Sequence, residues 1–156
     1  MTNPNPTPIF RLVHVDNLPT LLQRSGLYAA QLTPQDGLPY RTIHNLEIQT
    51  ERHVRQIPCG PGGTLHDYVP FYFGFLSPML LQLNTGRVKG YTEGQNSLVY
   101  LKSTAQTIAE SGCRFVFSNG HGIADFTDCG ISFNRLDEDR HQVFLAFGCA
   151  AHFLQY

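Results

Sequence analysis

Short apolar runs, several with strand-like alternation, recur along the chain and are separated by polar or glycine-containing stretches. The alternation in residues 9–15 predicts a first strand, and residues 97–102 and 114–117 predict two more. Between the last two strands, residues 105–111 predict a helix that ends at Gly112. Short strands mixed with short helices, without a regular alternation of the two, predict an α+β fold.

Helices are predicted at two further places, and a third segment is left open. Asp16 or Asn17 is expected to cap the first helix, with Pro19 in its first turn. Residues 46–54 are expected to form the second helix, whereas residues 79–84 fit either a strand or a buried turn of helix. The apolar residues expected to face the interior are Leu18, Leu21 and Leu22 in the first helix, and Ile48 and Val54 in the second.

The most aromatic stretch, residues 68–73, predicts a strand that follows the glycine turn of residues 62–63. Pro70 has no backbone N–H, so this strand is expected to lie at a sheet edge or to be interrupted there. Tyr68 and Tyr72 would bring hydroxyl groups to an otherwise apolar wall that a flat ring could contact. The alternative is that the stretch packs the interior, as most aromatic strands do.

Composition predicts a single small folded domain. The chain has 156 residues, of which 42% are hydrophobic, and its net charge at pH 7 is −1. We assign the domain to residues 9–156, preceded by a flexible lead-in of residues 1–8 that lacks the features of a secretory signal. The apolar runs are too short to span a bilayer, so no membrane partner is expected.

Arginine is the dominant cation, with nine arginines against two lysines. Arginine favours bidentate recognition of phosphates and carboxylates, so a local basic groove is compatible with the near-neutral net charge. Arg52, in the second predicted helix, and Arg55, just after its end, lie three residues apart, a spacing that would place them on neighbouring faces of a helix. The alternative is that both arginines are solvated.

Two histidines follow predicted strands. His14 lies just before a predicted helix N-terminus, where free N–H groups are available to a ligand. His121 lies in a polar turn after the strand of residues 114–117. The alternative for His14 is that it caps its local backbone.

No metal site or disulfide framework is predicted. The histidines show no spacing typical of metal ligands, and the four cysteines include no C-x-x-C pair. We therefore expect reduced thiols in a cytoplasmic protein.

Several short blocks of the sequence, taken together in their order along the chain, resemble the DarT family, the DNA ADP-ribosyltransferase toxins of DarT–DarG toxin–antitoxin systems. The resemblance covers about Ile9 to Asp128, and its most specific part is the Asp-Tyr-Val-Pro-Phe-Tyr-Phe block of residues 67–73. The blocks are residues 11–18, Ile48 with Arg52, residues 65–73, residues 77–80, residues 94–95 and residues 117–121.

The resemblance implies an ADP-ribosyltransferase-like fold, in which a split central β structure with short helices grips NAD. It implies transfer of ADP-ribose from NAD to thymidine bases of single-stranded DNA, with nicotinamide as the leaving group. Arg52 would be the catalytic arginine, holding the NAD phosphates and orienting the acceptor base. The residues implied to bind NAD or to form the wall facing NAD and the base are His14, Asn17, Tyr68, Tyr72, Ser77, Met79 and His121. A DarG-like antitoxin is the implied protein partner, and a monomer is expected.

The chain departs from the family at the catalytic glutamate near the end of the domain. The nearest match, residues 140–145, has Val143 in that place, and Glu138 is the only glutamate late in the chain. The alternative to Val143 in the glutamate's place is that the whole tail after Asp139 is unrelated to the family's and the chain stops before the motif. The expected protein is a DarT-like transferase, and the alternative is a catalytically impaired relative that binds NAD or DNA.

Overall fold

Six antiparallel strands form a central sheet, and two more strands form a small second sheet, in the part of the chain that the structure describes. The computed structural model describes residues 6–118, 129–132 and 143–151. The strands are β1 (Pro8–His14), β2 (Gly26–Tyr28), β3 (Tyr68–Tyr72), β4 (Leu98–Thr104), β5 (Phe115–Ser118), β6 (Cys129–Gly130), β7 (Val143–Phe147) and β8 (Cys149–Ala151). The α-helices are α1 (Leu18–Arg24), α2 (Leu46–Val54), α3 (Pro78–Asn84) and α4 (Ala105–Glu110), and 3₁₀ helices span Val15–Asn17, Ala30–Leu32 and Leu65–Asp67.

The strand order of the central sheet is β4-β1-β3-β7-β5-β6, and β2 pairs with β8. Strand β7, late in the chain, therefore lies between β5 and the much earlier strand β3. All the pairings are antiparallel, and short helices lie in each of the connections from β1 to β5. This arrangement is the α+β architecture that the mixture of short elements predicted.

The central sheet is split between β1 and β3. The β1–β4 ladder runs the full length of β1, from Pro8↔Thr104 to His14↔Leu98. In contrast, β1 and β3 are paired at a single position, Phe10↔Tyr72. Beyond this position the two strands diverge, and the opening between them forms part of a cavity described below.

Pro70 lies within a continuous interior strand, so the prediction of a strand that is at the sheet edge or interrupted at Pro70 is wrong. It is paired with Leu145 of β7, within a continuous β3–β7 ladder. The carbonyl of Pro70 accepts a hydrogen bond from Arg11 Nη1 at 3.2 Å, so its peptide groups face β1. Because the β1–β3 ladder has already ended there, the missing N–H of proline breaks no strand pairing.

The largest apolar cluster is built around β3 and β7. The Phe144 ring is fully buried and packs against those of Phe71, Phe73 and Phe115. A second cluster joins Val143 and Leu145 of β7 to Tyr68, Leu65, Ile57 and Val116. Residues 143–146 are all buried, so β7 lies at the centre of the fold.

The helices bury less of their apolar surface than the sequence pattern predicted. Leu21 is buried, but Leu22 is 47% exposed and Val54 is 70% exposed, so the predictions for these two residues are wrong. A helix of seven residues, such as α1, makes only about two turns, so one narrow stripe reaches the core. Residues 79–84 belong to helix α3, the second of the two predicted alternatives. Among the described residues, no helix is long and apolar enough to cross a membrane.

Cys59 is disulfide-bonded in the structure, whereas Cys113 has a free thiol. The prediction of reduced thiols throughout is therefore wrong for Cys59. Spacing along the chain says nothing about which cysteines the fold brings within the distance that an S–S bond requires.

Candidate active site

A cavity of about 860 Å³ opens where β1 and β3 diverge. Four residues predicted as site residues contribute to its wall: Arg52, Tyr68, Tyr72 and Met79. Ile48 also lines it, which explains why an apolar residue of α2 faces inward although α2 contains no fully buried residue. The remaining wall comes mainly from Arg11 of β1, from residues 40 and 42–45 before α2, and from residues around β2.

Arg52 lies in the last turn of α2 and enters the cavity wall beside the 3₁₀ helix that precedes β3. Its Nη2 donates a hydrogen bond to the carbonyl of Leu65 at 3.3 Å. Burial, reinforced by the positive charge of Arg11, lowers the pKa of Arg52 to about 10. The guanidinium is still charged at neutral pH, and it is held where a bound anion would be its counter-charge.

Arg11 is a cavity residue that the sequence reasoning missed. It follows Phe10, the last point at which β1 pairs with β3, and its Nη1 donates to the Pro70 carbonyl. Its Nε is buried and has no hydrogen-bond partner in the described part of the protein. The available signal was a charged residue in the middle of an apolar strand, a position where burial requires a partner.

The two histidines in the wall, His44 and His66, are held in the neutral form. Burial, followed by the charges of Arg11 and Arg52, lowers the pKa of His44 to about 4. Burial also lowers the pKa of His66, again reinforced by Arg52. Because the described wall contains three arginines and no Asp or Glu, the cavity is electropositive and suits an anionic ligand.

Tyr68 and Tyr72 form a phenolic wall along β3. Tyr68 is 1% exposed, and its hydroxyl donates a 2.6 Å hydrogen bond to the carbonyl of Gly62. Gly62 has a φ of +73°, a conformation that L side chains rarely adopt, so the turn that presents this carbonyl depends on glycine. Burial raises the pKa of Tyr68 to about 12 and also raises that of Tyr72, whose phenol lies near both Arg11 and Arg52.

The Tyr68→Phe variant is expected to lower the free energy of unfolding at pH 7 by about 0.5–1.5 kcal/mol, because the partly buried Gly62 carbonyl loses the hydrogen bond from the Tyr68 hydroxyl. The variant should also change the response to alkali. With a folded-state pKa of about 12 and an ordinary value of 10.0, Tyr68 keeps its proton in the folded state while the unfolded state loses it. Stability should therefore fall as pH rises through this interval, and fall less steeply in Tyr68→Phe. Denaturant unfolding at several pH values would measure this, and equal slopes in the two proteins would contradict it.

His14 and Asn17 lie behind the cavity wall and are not among the residues that line it. His14 is 2% exposed; its Nδ1 accepts the N–H of Asp16 and its Nε2 donates to Glu93 at 3.0 Å. Asn17 makes two 2.7 Å hydrogen bonds with the backbone of Arg41. His14 thus has the local capping role that was its alternative, and both residues fix the segment that carries wall residues 42–45.

Glu93 joins these residues into one network. Its carboxylate accepts hydrogen bonds from His14 and from the guanidinium of Arg41, which also bridges to Asp16 at 3.4 Å. Arg41 lies over the ring of Tyr91, with 6.0 Å between its Cζ and the ring centroid. The network ties the loop after β1, the segment before α2 and the loop before β4 into one support for the cavity.

Glu93→Gln is expected to lower the free energy of unfolding by about 0.5–1 kcal/mol, the range of partly exposed ion pairs. The same change should weaken ligand binding in the cavity, because the segment with wall residues 42–45 loses a tether. Thermal unfolding with and without NAD measures both effects. Glu51→Gln, in an exposed position of α2, is the matched control and should behave as the wild type. Equal unfolding temperatures for Glu93→Gln and Glu51→Gln would contradict the role of the network.

Ser77 caps helix α3 and thereby positions Met79. The Ser77 hydroxyl accepts the backbone N–H of Leu80 at 3.2 Å and is itself buried. Met79 lines the cavity two residues further on. His121 lies outside the described residues, as does Glu138.

Val143 lies in β7 directly across from Tyr72. It is 3% exposed and packs with the apolar cluster that includes Tyr68 and Leu65. The position assigned to the family's glutamate is thus next to the cavity wall, but it carries an aliphatic side chain.

Comparison with known proteins connects this geometry to one family. Residues 10–146 match the family described as "ssDNA thymidine ADP-ribosyltransferase, DarT". A DNA ADP-ribosyl transferase of Thermus sp. (strain 2.9) is 41% identical over 122 residues, which are 78% of this chain and 56% of that protein. The chain therefore spans little more than half the length of this relative.

Two solved structures of Thermus sp. 2.9 DarT have a similar fold. The complex with ADP-ribosylated ssDNA matches with a TM-score of 0.83 and 32% identity, over 96% of this chain and 78% of that one. The complex with NAD+ matches with a TM-score of 0.78 and 31% identity, over 95% and 78% of the two chains. The predicted ADP-ribosyltransferase-like α+β fold is thus confirmed, and the chain belongs to the DarT family.

Proposed function

We propose that this protein transfers ADP-ribose from NAD to thymidine bases of single-stranded DNA. The observation that carries the proposal is the electropositive cavity at the β1–β3 split, with Arg52 and the tyrosine wall of β3 on its surface. Support also comes from relatives with the same fold, one of them in complex with NAD+ and one with ADP-ribosylated ssDNA.

The bond that breaks in this reaction joins the ribose to nicotinamide, which leaves with the bonding electron pair as a neutral molecule. The new bond joins the same ribose carbon to the thymine base, which gives up a proton. Positive charge develops on the ribose during the exchange, so the donor must be held rigidly and away from water. The cavity walls formed by β3, α2 and the segment before α2 would hold the donor and shield part of it from water.

Arg52 would hold the phosphates of the donor and orient the acceptor base. Its charge at neutral pH and its anchoring on the Leu65 carbonyl support this role, because a fixed guanidinium needs no reorganisation when the anion binds. Tyr68, Tyr72 and Met79 would form the apolar side of the site, where an unstacked base from a single strand can pack.

His14, Asn17, Ser77 and His121 are also proposed residues of the NAD site. The hydrogen bonds of His14, Asn17 and Ser77 support a positioning role, through the wall segment of residues 42–45 and through helix α3. A DarG-like antitoxin as partner, a monomeric state and a cytoplasmic location complete the proposal, and the resemblance to the family supports the antitoxin partner.

A second candidate function is binding of NAD or DNA without turnover. The observation that favours it is Val143, the nearest match to the family's glutamate, which lies beside the cavity wall with a side chain that neither accepts a proton nor stabilises a cation. The described wall of the cavity contains no carboxylate that would substitute for it. Loss of a general base typically lowers a rate about 10²- to 10⁴-fold.

Incubation of the protein with NAD and a thymidine-containing single-stranded oligonucleotide, followed by mass spectrometry, separates the two functions. A mass increase equal to one ADP-ribose on the DNA, with release of nicotinamide, supports the transferase. Unmodified DNA, together with stabilisation of the protein by NAD in thermal unfolding, supports binding without turnover. A ligand at 100 times its Kd should add about 2.7 kcal/mol of stability, so absence of any NAD-induced shift contradicts both functions.

A further inference from the structure

We propose that Arg11 and Arg52 together form a phosphate-binding site at the split between β1 and β3, with Arg11 as the second guanidinium. The proposal deepens the proposed function and rests on it for the identity of the phosphate-bearing molecule. The site itself is argued from the described residues alone.

The position of Arg11 is fixed by the backbone on both sides of the split. β1 and β3 pair last at Phe10↔Tyr72, and Arg11 is the next residue of β1. Its Nη1 donates to the Pro70 carbonyl at 3.2 Å, across the gap where strand pairing has ended. The side chain thus bridges the opening and lines the cavity at its origin.

Arg11 has hydrogen-bonding capacity that the described protein does not use. Its Nε is shielded from solvent and has no acceptor within the described residues. Buried donors in folded proteins nearly always have a partner, because a donor removed from water and left unpaired is unfavourable. An anion in the cavity would supply the missing acceptor.

The positive charges of Arg11 and Arg52 are not balanced by a carboxylate within the described part of the protein. Arg11 lies close enough to Arg52 to lower its pKa, and both lower the pKa of His44. Neither Arg11 nor Arg52 forms an ion pair with a carboxylate of the described residues, and the described wall has no Asp or Glu.

Arg24, the third arginine of the described cavity wall, differs from Arg11 and Arg52 because it is paired with a carboxylate. Arg24 is held by both carboxylate oxygens of Asp36, at 2.8 and 2.6 Å. Its charge is therefore balanced within the protein. Two neighbouring guanidiniums without such a partner are stabilised only when an anion lies between or beside them.

Phosphate oxygens fit this pair chemically. Each guanidinium presents N–H donors in a planar fork that matches two oxygens of one phosphate, and each is anchored on one backbone carbonyl. The pyrophosphate of a dinucleotide and the phosphodiester of an oligonucleotide both carry such oxygens. Binding experiments distinguish the two sources.

The test compares the wild type with Arg11→Gln, Arg11→Lys and Arg87→Gln by calorimetric titration. Arg87 is exposed and lies outside the cavity wall, so Arg87→Gln removes one positive charge from a position that is not expected to bind phosphate. The probes are inorganic pyrophosphate, ADP-ribose, a single-stranded oligothymidine, and adenosine as the probe without phosphate. Circular dichroism of each unliganded variant establishes that it is folded, and Arg11→Lys keeps the charge and the aliphatic stem if Arg11→Gln does not fold.

Affinity for pyrophosphate and ADP-ribose is expected to fall about 10- to 100-fold in Arg11→Gln, the loss typical of a charge-assisted hydrogen bond. A smaller loss is expected in Arg11→Lys and none in Arg87→Gln, while adenosine binding stays unchanged. This result supports the site with the donor as phosphate source. A loss confined to oligothymidine supports the site with DNA as source.

Equal affinities of wild type and folded Arg11 variants for every phosphate-bearing probe would overturn the proposal. Failure of the wild type to bind any of these probes would also overturn it. A wild type that binds them through Arg11 but leaves DNA unmodified would refute the transferase while supporting the phosphate site.

Discussion

The Arg52→Ala variant is expected to lose ADP-ribose transfer by about 10²- to 10³-fold, the effect of removing one fixed charge-stabilising donor from an active site. The physical reason is the location of Arg52 in the cavity wall, charged and anchored on the Leu65 carbonyl. Alanine removes both the charge and the fork that would orient the phosphates. Initial rates of nicotinamide release with saturating oligonucleotide would measure the loss.

Two control variants separate this role from a general effect of charge. Arg52→Lys keeps the charge without the planar fork, and we expect it to recover only a small part of the rate. Arg55 comes three residues after Arg52, directly after the end of α2, and does not line the cavity, so Arg55→Ala should retain nearly the wild-type rate. Similar rates for Arg52→Ala and Arg55→Ala, with both proteins folded, would contradict the assignment of Arg52.

Val143→Glu is expected to raise the rate of transfer about 10²-fold or more, the contribution of a positioned general base. Val143 pairs in register with Tyr72, and directly paired residues of neighbouring strands project on the same face of a sheet. Because Tyr72 lines the cavity, a carboxylate at position 143 would lie beside the wall, near the charge of Arg52. Mass spectrometry of the oligonucleotide over time would measure the gain.

Val143→Gln is the matched control, because glutamine has nearly the same shape and no charge. It should show no gain in rate. Both variants should unfold more easily than the wild type without ligand, since position 143 is only 3% exposed and a polar side chain there is desolvated. A folded Val143→Glu protein with the wild-type rate would contradict a role for this position in catalysis.

Local sequence patterns predicted most of the elements. The first strand, the helices of residues 46–54 and 105–111, and the aromatic strand were all found close to their predicted bounds. These elements depend on alternation, capping residues and turn glycines, which act over a few neighbouring residues. The same holds for Tyr68 and Tyr72, whose spacing on one strand already places them on one face.

The chemistry of the candidate site was predicted in part. Arg52, Tyr68, Tyr72 and Met79 came from the family resemblance, and the structure places all four at one cavity. The resemblance gave no such role to Arg11, and it did not reveal that His14 and Asn17 lie behind the wall with their hydrogen bonds already made.

The sequence by itself determined most of the strands and helices, because the preferences of residues for these elements are local. Only the tertiary structure decided which strands are neighbours. β3 lies between β1 and β7, so its Pro70 is in the interior of the sheet. The pairing between β1 and β3 ends after a single residue pair. Those pairings join residues far apart in the chain, where no short-range pattern specifies the partner. The split they create brings the partly buried side chains of Arg11 and Arg52 together, and so forms the electropositive cavity.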